Sequence, residues 1–379
     1  MRVLLTSTRA PVTLESARAF AREGHSVVGV DTFPLTIGAW SNAVERHCVV
    51  PSPRFEREAF VDEVAAIAKR ECVDLIVPTC EEVFAVGYGR DRLSRVARVL
   101  VASTATLTTL HDKWSFTKLA ESLGLRVPES ALATSGEELR EACDRFGKWI
   151  AKPVHSRFAT RIASNAEGFP SRTTADVRPS PDEPWIVQRF IDGDAECSYS
   201  IVHDGRVAAH VAYATPVRHG AGSGVRFTSV DGGPTLEVAA AIAGDTGFTG
   251  SLSFDFIRGQ DGLTLLECNP RVTSGVHLMT EAGLVLALTE PTAPLHVVSA
   301  GRTRQLLFPA MASLASSLRG LGRAARAVRF GDVVMRPGDP GPALAQVPMS
   351  WHFLRVARRE HLSLAAATTH DIEWNGDGR

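Results

Sequence analysis

Two short apolar runs with acids set among them, Ser253-Phe254-Asp255-Phe256 and Leu265-Leu266-Glu267-Cys268-Asn269-Pro270-Arg271, are joined by Arg258-Gly259-Gln260-Asp261-Gly262. Asp-Gly between apolar runs is a strong hairpin signal, so the runs are expected to pair as antiparallel strands. Residues two apart on a strand share a face, and the pairing therefore presents Asp255, Glu267 and Asn269 as oxygens on one side. Mg2+ beside a nucleoside triphosphate takes one or two carboxylates and a neutral oxygen, the remaining positions going to phosphate and water. Arg271 then places a fork-shaped cation over the same anionic cargo. A surface hairpin with solvated acids would look the same, so the pattern needs support elsewhere.

Trp149-Ile150-Ala151-Lys152-Pro153 supplies some, as a short apolar strand carrying a lysine. A buried ammonium is costly unless an anion meets it. Lysine is scarce in this chain, with only Lys69, Lys113, Lys118, Lys148 and Lys152 among 41 basic residues. A second run, Trp185-Ile186-Val187-Gln188-Arg189-Phe190-Ile191, leads through Asp192-Gly193-Asp194-Ala195-Glu196 into Cys197-Ser198-Tyr199-Ser200-Ile201-Val202. Such a crossover can offer main-chain groups to an adenine edge, with Glu196 reaching ribose hydroxyls.

The order of these parts, with Asp112-Lys113-Trp114 ahead of them, resembles the ATP-grasp superfamily over residues 1–295, and most of all its carbamoyl-phosphate-synthase-like and amino-acid-ligase branches. The resemblance implies that Lys113 and Lys152 contact ATP phosphates and the adenine edge, and that Gln188, Arg189 and Ile191 form the adenine hinge. It implies Glu196 as ribose ligand, Asp255, Glu267 and Asn269 as ligands of Mg2+ (Mn2+ being an alternative ion), and Arg271 as the residue steadying an acyl phosphate. One departure stands out. The glycine-rich flap that usually follows the strand lysine is replaced by Val154-His155-Ser156-Arg157-Phe158-Ala159-Thr160-Arg161. Glycine-poor loops are less free to adopt φ > 0, so Arg157, Arg161 and hydroxyls are expected at the phosphates, or else both arginines are solvated. A glycine-rich loop at residues 218–226, ending in Arg226, is expected either to close over the acceptor substrate or to be a plain hairpin end.

The N-terminal stretch alternates strand and helix. Residues 2–6 read as a buried strand, 12–23 as a helix closed by Gly24, and 26–31 as the next strand. Helix 56–70 and strand 74–78 continue a doubly wound open sheet. Asp31 at a strand end could hold a dinucleotide ribose, but the first turn, Ser7-Thr8-Arg9-Ala10-Pro11, has no GxGxxG. Ligands gather at strand ends in such sheets, so Glu81 and Glu82 are candidates for a substrate ammonium; capping the following helix is the alternative. The expected fold class is α/β and α+β. A doubly wound pre-ATP-grasp domain covers 1–108, and a two-lobed ATP-grasp domain covers 109–295, with lobes of about 109–183 and 184–295. A small helical or mixed C-terminal extension covers 296–379. Within the extension, Arg319, Arg323 and Arg326 share one helical face, either a docking surface for an acidic partner or carrier domain, or a solvated stripe.

Length and composition are those of a two- or three-domain globular chain, with 379 residues, 44% apolar and 22% charged. A net charge of −1 argues against a nucleic-acid or membrane-surface binder. Six scattered cysteines without CxxC read as reduced thiols, and residues 1–6 turn polar too early for a signal peptide. A cytoplasmic protein is expected, with small-molecule carboxylate and amine substrates; a homodimer, carrier or partner protein is compatible with the sequence.

The expected chemistry is an ATP-dependent carboxylate–amine ligation, ADP-forming, through an acyl phosphate. Arg271 would stabilise the oxyanion, Ser274 and Gly275 would hold the carboxylate, and His277 is a candidate base for the amine. Rival readings are a carboxyphosphate- or carbamoyl-phosphate-forming enzyme, a carboxylase, a non-catalytic nucleotide-binding regulator, and a Rossmann oxidoreductase.

Overall fold

The computed structural model describes residues 1–155, 161–167, 174–218, 224–307, 331–374 and 376. Flap residues 156–160, including Arg157, the glycine-rich residues 219–223 and the arginine stripe at 319, 323 and 326 lie outside the described residues.

The first sheet is parallel, in spatial order Arg46–Val49, Ser26–Asp31, Arg2–Leu5, Leu75–Val77, Arg98–Val99. Its three central strands are mostly apolar and buried, as expected of a parallel sheet with helices on both faces. Pro11 opens the helix Pro11–Arg22 at its first position, and Gly24 follows its end with φ +80°. The strand order reverses between Arg2–Leu5 and Leu75–Val77, which opens a crevice at their carboxyl ends. Thr6, Ser7, Thr79, Cys80, Glu81 and Glu82 stand there.

A small antiparallel sheet follows, ordered Ser130–Ala133, Trp185–Arg189, Trp149–Pro153, Ala163–Ser164. Trp149, Ala151, Trp185 and Val187 pack beneath the helix Gly136–Phe146, on Leu139, Ala142 and Phe146. Alternation turns Ile150, Lys152 and Gln188 to the other face, where an anion can meet the lysine.

The third sheet runs Gly262–Asn269, Gly250–Gly259, Asp194–His203, Arg206–Arg218, Gly224–Val230, Thr303–Gln305, with His296–Val297 beside Arg206–Arg218. Val202, Leu252, Phe254 and Phe256 bury one face against the helix Gly233–Thr246. Tyr199, Ile201, Val211 and Phe227 bury part of the other against Val276, Leu278 and, from the first helix, Ala17 and Phe20. The two halves of the chain thus share cores.

The C-terminal segment returns to the parallel sheet. After the helices Gly341–Arg359 and Leu364–Ala367, Asp371 takes two hydrogen bonds from buried Arg9, Nη1 at 2.6 Å and Nη2 at 2.8 Å. Arg9 also holds Asp31 and lies over the Phe33 ring, 4.8 Å from its centroid. Trp374 stacks on Phe84 with centroids 4.5 Å apart. Asp371→Asn is expected to cost about 2 kcal/mol, the usual range for a hydrogen bond to a charged group, read as a lowered Tm. Burial opposes ionisation of Asp371, but hydrogen bonds and charge from Arg9 hold its carboxyl below the usual aspartate value. This contribution is therefore present above the unfolded value and is lost as pH falls through the lowered one. No helix among the described residues is long and apolar enough to cross a membrane.

Candidate active site

The hairpin forms with Asp255 directly opposite Glu267 and Ser253 opposite Asn269. Both carboxylates are half-buried, and Asn269 Nδ2 donates to Asp255 Oδ2 at 3.1 Å. Lys152 Nζ reaches Glu267 Oε2 at 3.2 Å from the small sheet. Lys113 Nζ approaches the same oxygen at 3.9 Å from the start of the helix Lys113–Ser122. That start is set by Asp112, whose Oδ1 accepts from Ser115 N–H at 2.6 Å as an N-cap. Two buried lysines from separate elements thus converge on one carboxylate.

The charges respond accordingly. Burial raises the Asp255 carboxyl, and repulsion from Glu267 adds to it, bringing it to about 6. Burial also works against Glu267, but Lys152 and then Lys113 overcome it and hold that carboxyl well below the usual range. Facing carboxylates whose values are pushed apart mark a place where charge is concentrated on purpose or offset by a ligand. Among the described residues no group of three or more His, Cys, Asp or Glu side chains is placed to hold a metal. Two carboxylates and an amide match a hard cation that takes its other ligands from phosphate and water.

Beside these residues a cleft of about 680 Å3 opens between the small sheet and the third sheet. Pro128, Ile150, Lys152, Gln188, Arg189, Phe190 and Ile191 line one wall, and Ala195, Ala214, Ile257 and Leu266 the other. Its polar groups are Lys152, those of the Gln188–Ile191 turn, Asp194 and Thr215, and the rest is apolar, a suitable shape for a flat heterocycle. Gln188 is buried, its Nε2 donating to Ser130 Oγ at 3.1 Å, and Arg189 reaches outward to Glu129 at 2.6 Å.

Other expected site residues are placed differently. Glu196 is on the face of its strand opposite the cleft, level with Phe256, and takes hydrogen bonds from Arg258 Nε at 2.7 Å and Nη2 at 2.9 Å. The cleft-facing neighbour is Ala195, so the ribose role of Glu196 is withdrawn. Glu82 accepts from Thr79 N at 3.0 Å, Cys80 N at 2.9 Å and the hydroxyls of Thr6 and Ser7. It fixes its own loop rather than a substrate ammonium. Glu81 is also buried and accepts from Arg271 Nε at 2.7 Å, so an ion pair fills the place proposed for the ammonium.

Arg226 donates to Gln305 Oε1 at 3.1 Å and is not among the cleft-lining residues. Ser274 opens the 3-10 turn Ser274–Leu278 and is half-buried. A Cβ on Gly275 would meet Tyr199 Cβ at 2.5 Å, so this glycine allows close backbone approach to the core. His277 is buried, with Nδ1 3.0 Å from Glu15 Oε2 and Arg336 pairing with the same glutamate. That triad joins the first helix to the 3-10 turn, which argues against His277 as a base for a solvent-delivered amine. Sequence reasoning passed over Tyr213 and Ser253, whose hydroxyls meet the Thr273 hydroxyl at 3.2 and 3.0 Å and brace the turn after Arg271. No local signal announces them.

A clamp of lysines and carboxylates beside an apolar cleft between two sheets, following a doubly wound domain, defines an ATP-grasp architecture. Residues 110–275 match the family described as ATP-grasp domain. It is 24% identical over 293 residues to the N-terminal section of the carbamoyl phosphate synthase large chain of Aquifex aeolicus, covering 71% of this chain and 51% of that protein. It is also 24% identical over 301 residues to the C-terminal section of that large chain from Methanopyrus kandleri, covering 73% and 52%. The chain thus spans about half the length of these relatives. Among solved structures it resembles N5-carboxyaminoimidazole synthetase from Staphylococcus aureus complexed with ADP, with TM-score 0.60, 12% identity and 80% of each chain covered. Biotin carboxylase from Campylobacter jejuni in an ATP complex gives TM-score 0.59 and 13% identity, over 75% of this chain and 70% of that one. At these identities the likeness concerns the fold.

Proposed function

We propose that the chain is an ATP-dependent carboxylate–amine ligase that forms an amide or peptide bond with release of ADP and phosphate. The observation that carries this reading is the convergence of Lys152 and Lys113 on Glu267, opposite Asp255, beside the apolar cleft. Adenine would lie against the Gln188–Ile191 turn, and the phosphates would extend toward the two lysines. Asp255, Glu267 and Asn269 would hold Mg2+, which when bound offsets phosphate charge. Asn269 would present its Oδ1, which now accepts weakly from Arg271 at 3.4 Å.

The protein's share of the work is alignment and charge neutralisation. The ammonium groups of Lys113 and Lys152 draw the phosphates to one end of the cleft. Arg271, whose Nη2 faces Asn269, offers N–H donors to oxygens of the acyl phosphate and of the tetrahedral intermediate. The amine attacks the acyl carbon, phosphate departs with the bonding pair, and the amine proton passes to phosphate or water.

Support for a second reading comes from the similarity to carbamoyl phosphate synthase large chains. On that reading the acid phosphorylated is bicarbonate. Purified protein with Mg-ATP and paired carboxylates and amines is expected to form ADP only when a matching pair is present, with the product seen by mass spectrometry. ADP formation on bicarbonate alone would select the second reading, and none with any acid would remove both.

A further inference from the structure

We infer that Glu81 of the first domain is a positioning residue for the ligation chemistry, holding the Arg271 guanidinium at the angle from which it meets the reacting group. This deepens the ligase reading and rests on it.

An arginine side chain can swing about four torsions, and one that must meet a transient oxyanion loses effectiveness with each alternative it can occupy. Three fixed oxygens surround Arg271: Glu81 at 2.7 Å from Nε, the Val272 carbonyl 3.3 Å from Nη1, and Asn269 Oδ1 at 3.4 Å from Nη2. The charged contact is the short one and lies at the rear of the fork, and the Nη2 end is turned toward Asn269 Oδ1. Glu81 is 3% exposed and Arg271 24% in their side chains, so the pair is mostly shielded from water, where an ion pair keeps its strength.

Glu81 is itself held. It follows Thr79 and Cys80 in the loop after the strand Leu75–Val77, and both of their N–H groups donate to Glu82. The hydroxyls of Thr6 and Ser7, at the end of the neighbouring strand, donate to the same carboxylate. Glu82 therefore ties the loop to the crevice of the parallel sheet, and Glu81 extends from that anchored loop. Pro270 and Arg271 line a small cavity together with Pro78, Val83 and Leu100 of the first domain, so the two sides meet beside the pair. The doubly wound domain, far from being only a support, sets the geometry of an arginine that follows the ATP-grasp hairpin.

The test uses full-length Glu81→Gln and Glu81→Ala. Turnover is expected to fall about 10- to 100-fold, the penalty of a slightly misplaced catalytic group, while KM for ATP and for the amine stays within about twofold. Glu81→Gln, which keeps shape and an acceptor oxygen, should retain more activity than Glu81→Ala. A raised amine KM at unchanged kcat would overturn the proposal in favour of direct ammonium binding by Glu81, and unchanged kinetics would overturn it outright. Independently of turnover, the Tm losses of Glu81→Gln and Arg271→Gln should be clearly less than additive in the double variant; additive losses would refute the coupling even if no acid is ever found to be activated. Wild-type protein that forms no ADP would instead count against the ligase reading itself.

Discussion

Glu267→Gln should reduce ADP formation by about 10³-fold or more, the upper range for loss of a preorganised charged contact, with an unchanged far-UV CD spectrum. The size follows from its position. Glu267 is the carboxylate on which Lys152 and Lys113 converge, and it stands opposite Asp255. Neutralising it would remove the proposed cation ligand and at the same time release the two ammonium groups from their shared anchor. Asp255 would keep the burial that chiefly raises its carboxyl but lose the repulsion from Glu267 that adds to it, so its value should fall part of the way toward the ordinary one. Turnover equal to that of the parent would defeat the metal assignment.

Lys152→Met should weaken ATP binding by about 10- to 100-fold, as expected for one hydrogen bond to a charged group, measured by calorimetry or fluorescence titration. The methionine keeps the apolar stem beside Ile150 and removes only the ammonium. Its loss also removes the largest influence holding the Glu267 carboxyl down, so that group should titrate higher in the variant. Equal ATP affinity in parent and variant would take Lys152 out of the nucleotide site.

The hairpin was readable because its information is local. Two apolar runs around a short polar turn announce the pairing, although the turn falls at Gln260-Asp261 with Gly259 opposite Gly262, and a register shift between Asp255 and Phe256 is what brings Asp255 opposite Glu267. The lysine strand was readable for the same reason, as a short apolar run around Lys152. Glu196 shows where locality ends. It follows a bend at Gly193, whose φ is +158°, and the face on which alternation restarts after a bend is not encoded in the bend's residues. One position decides between ribose ligand and partner of Arg258.

His277 and Glu81 fail for a different reason. Their partners, Glu15 and Arg271, lie 262 and 190 residues away, and a buried carboxylate or imidazole is written identically whether it will meet a substrate or another part of the chain. The return of Asp371 and Trp374 to the first domain was equally hidden, since the sequence offers only a polar, helical extension there.

That return has a consequence for how the protein is made. Arg9 leaves the ribosome well before one of the two carboxylates that clasp its guanidinium, which is 362 positions behind it. Until translation has passed that point, the nascent first sheet carries a cation with part of its coordination missing and Phe84 without its stacking partner. Vectorial synthesis should therefore yield a loosened first sheet that tightens only when the segment around Asp371 and Trp374 docks.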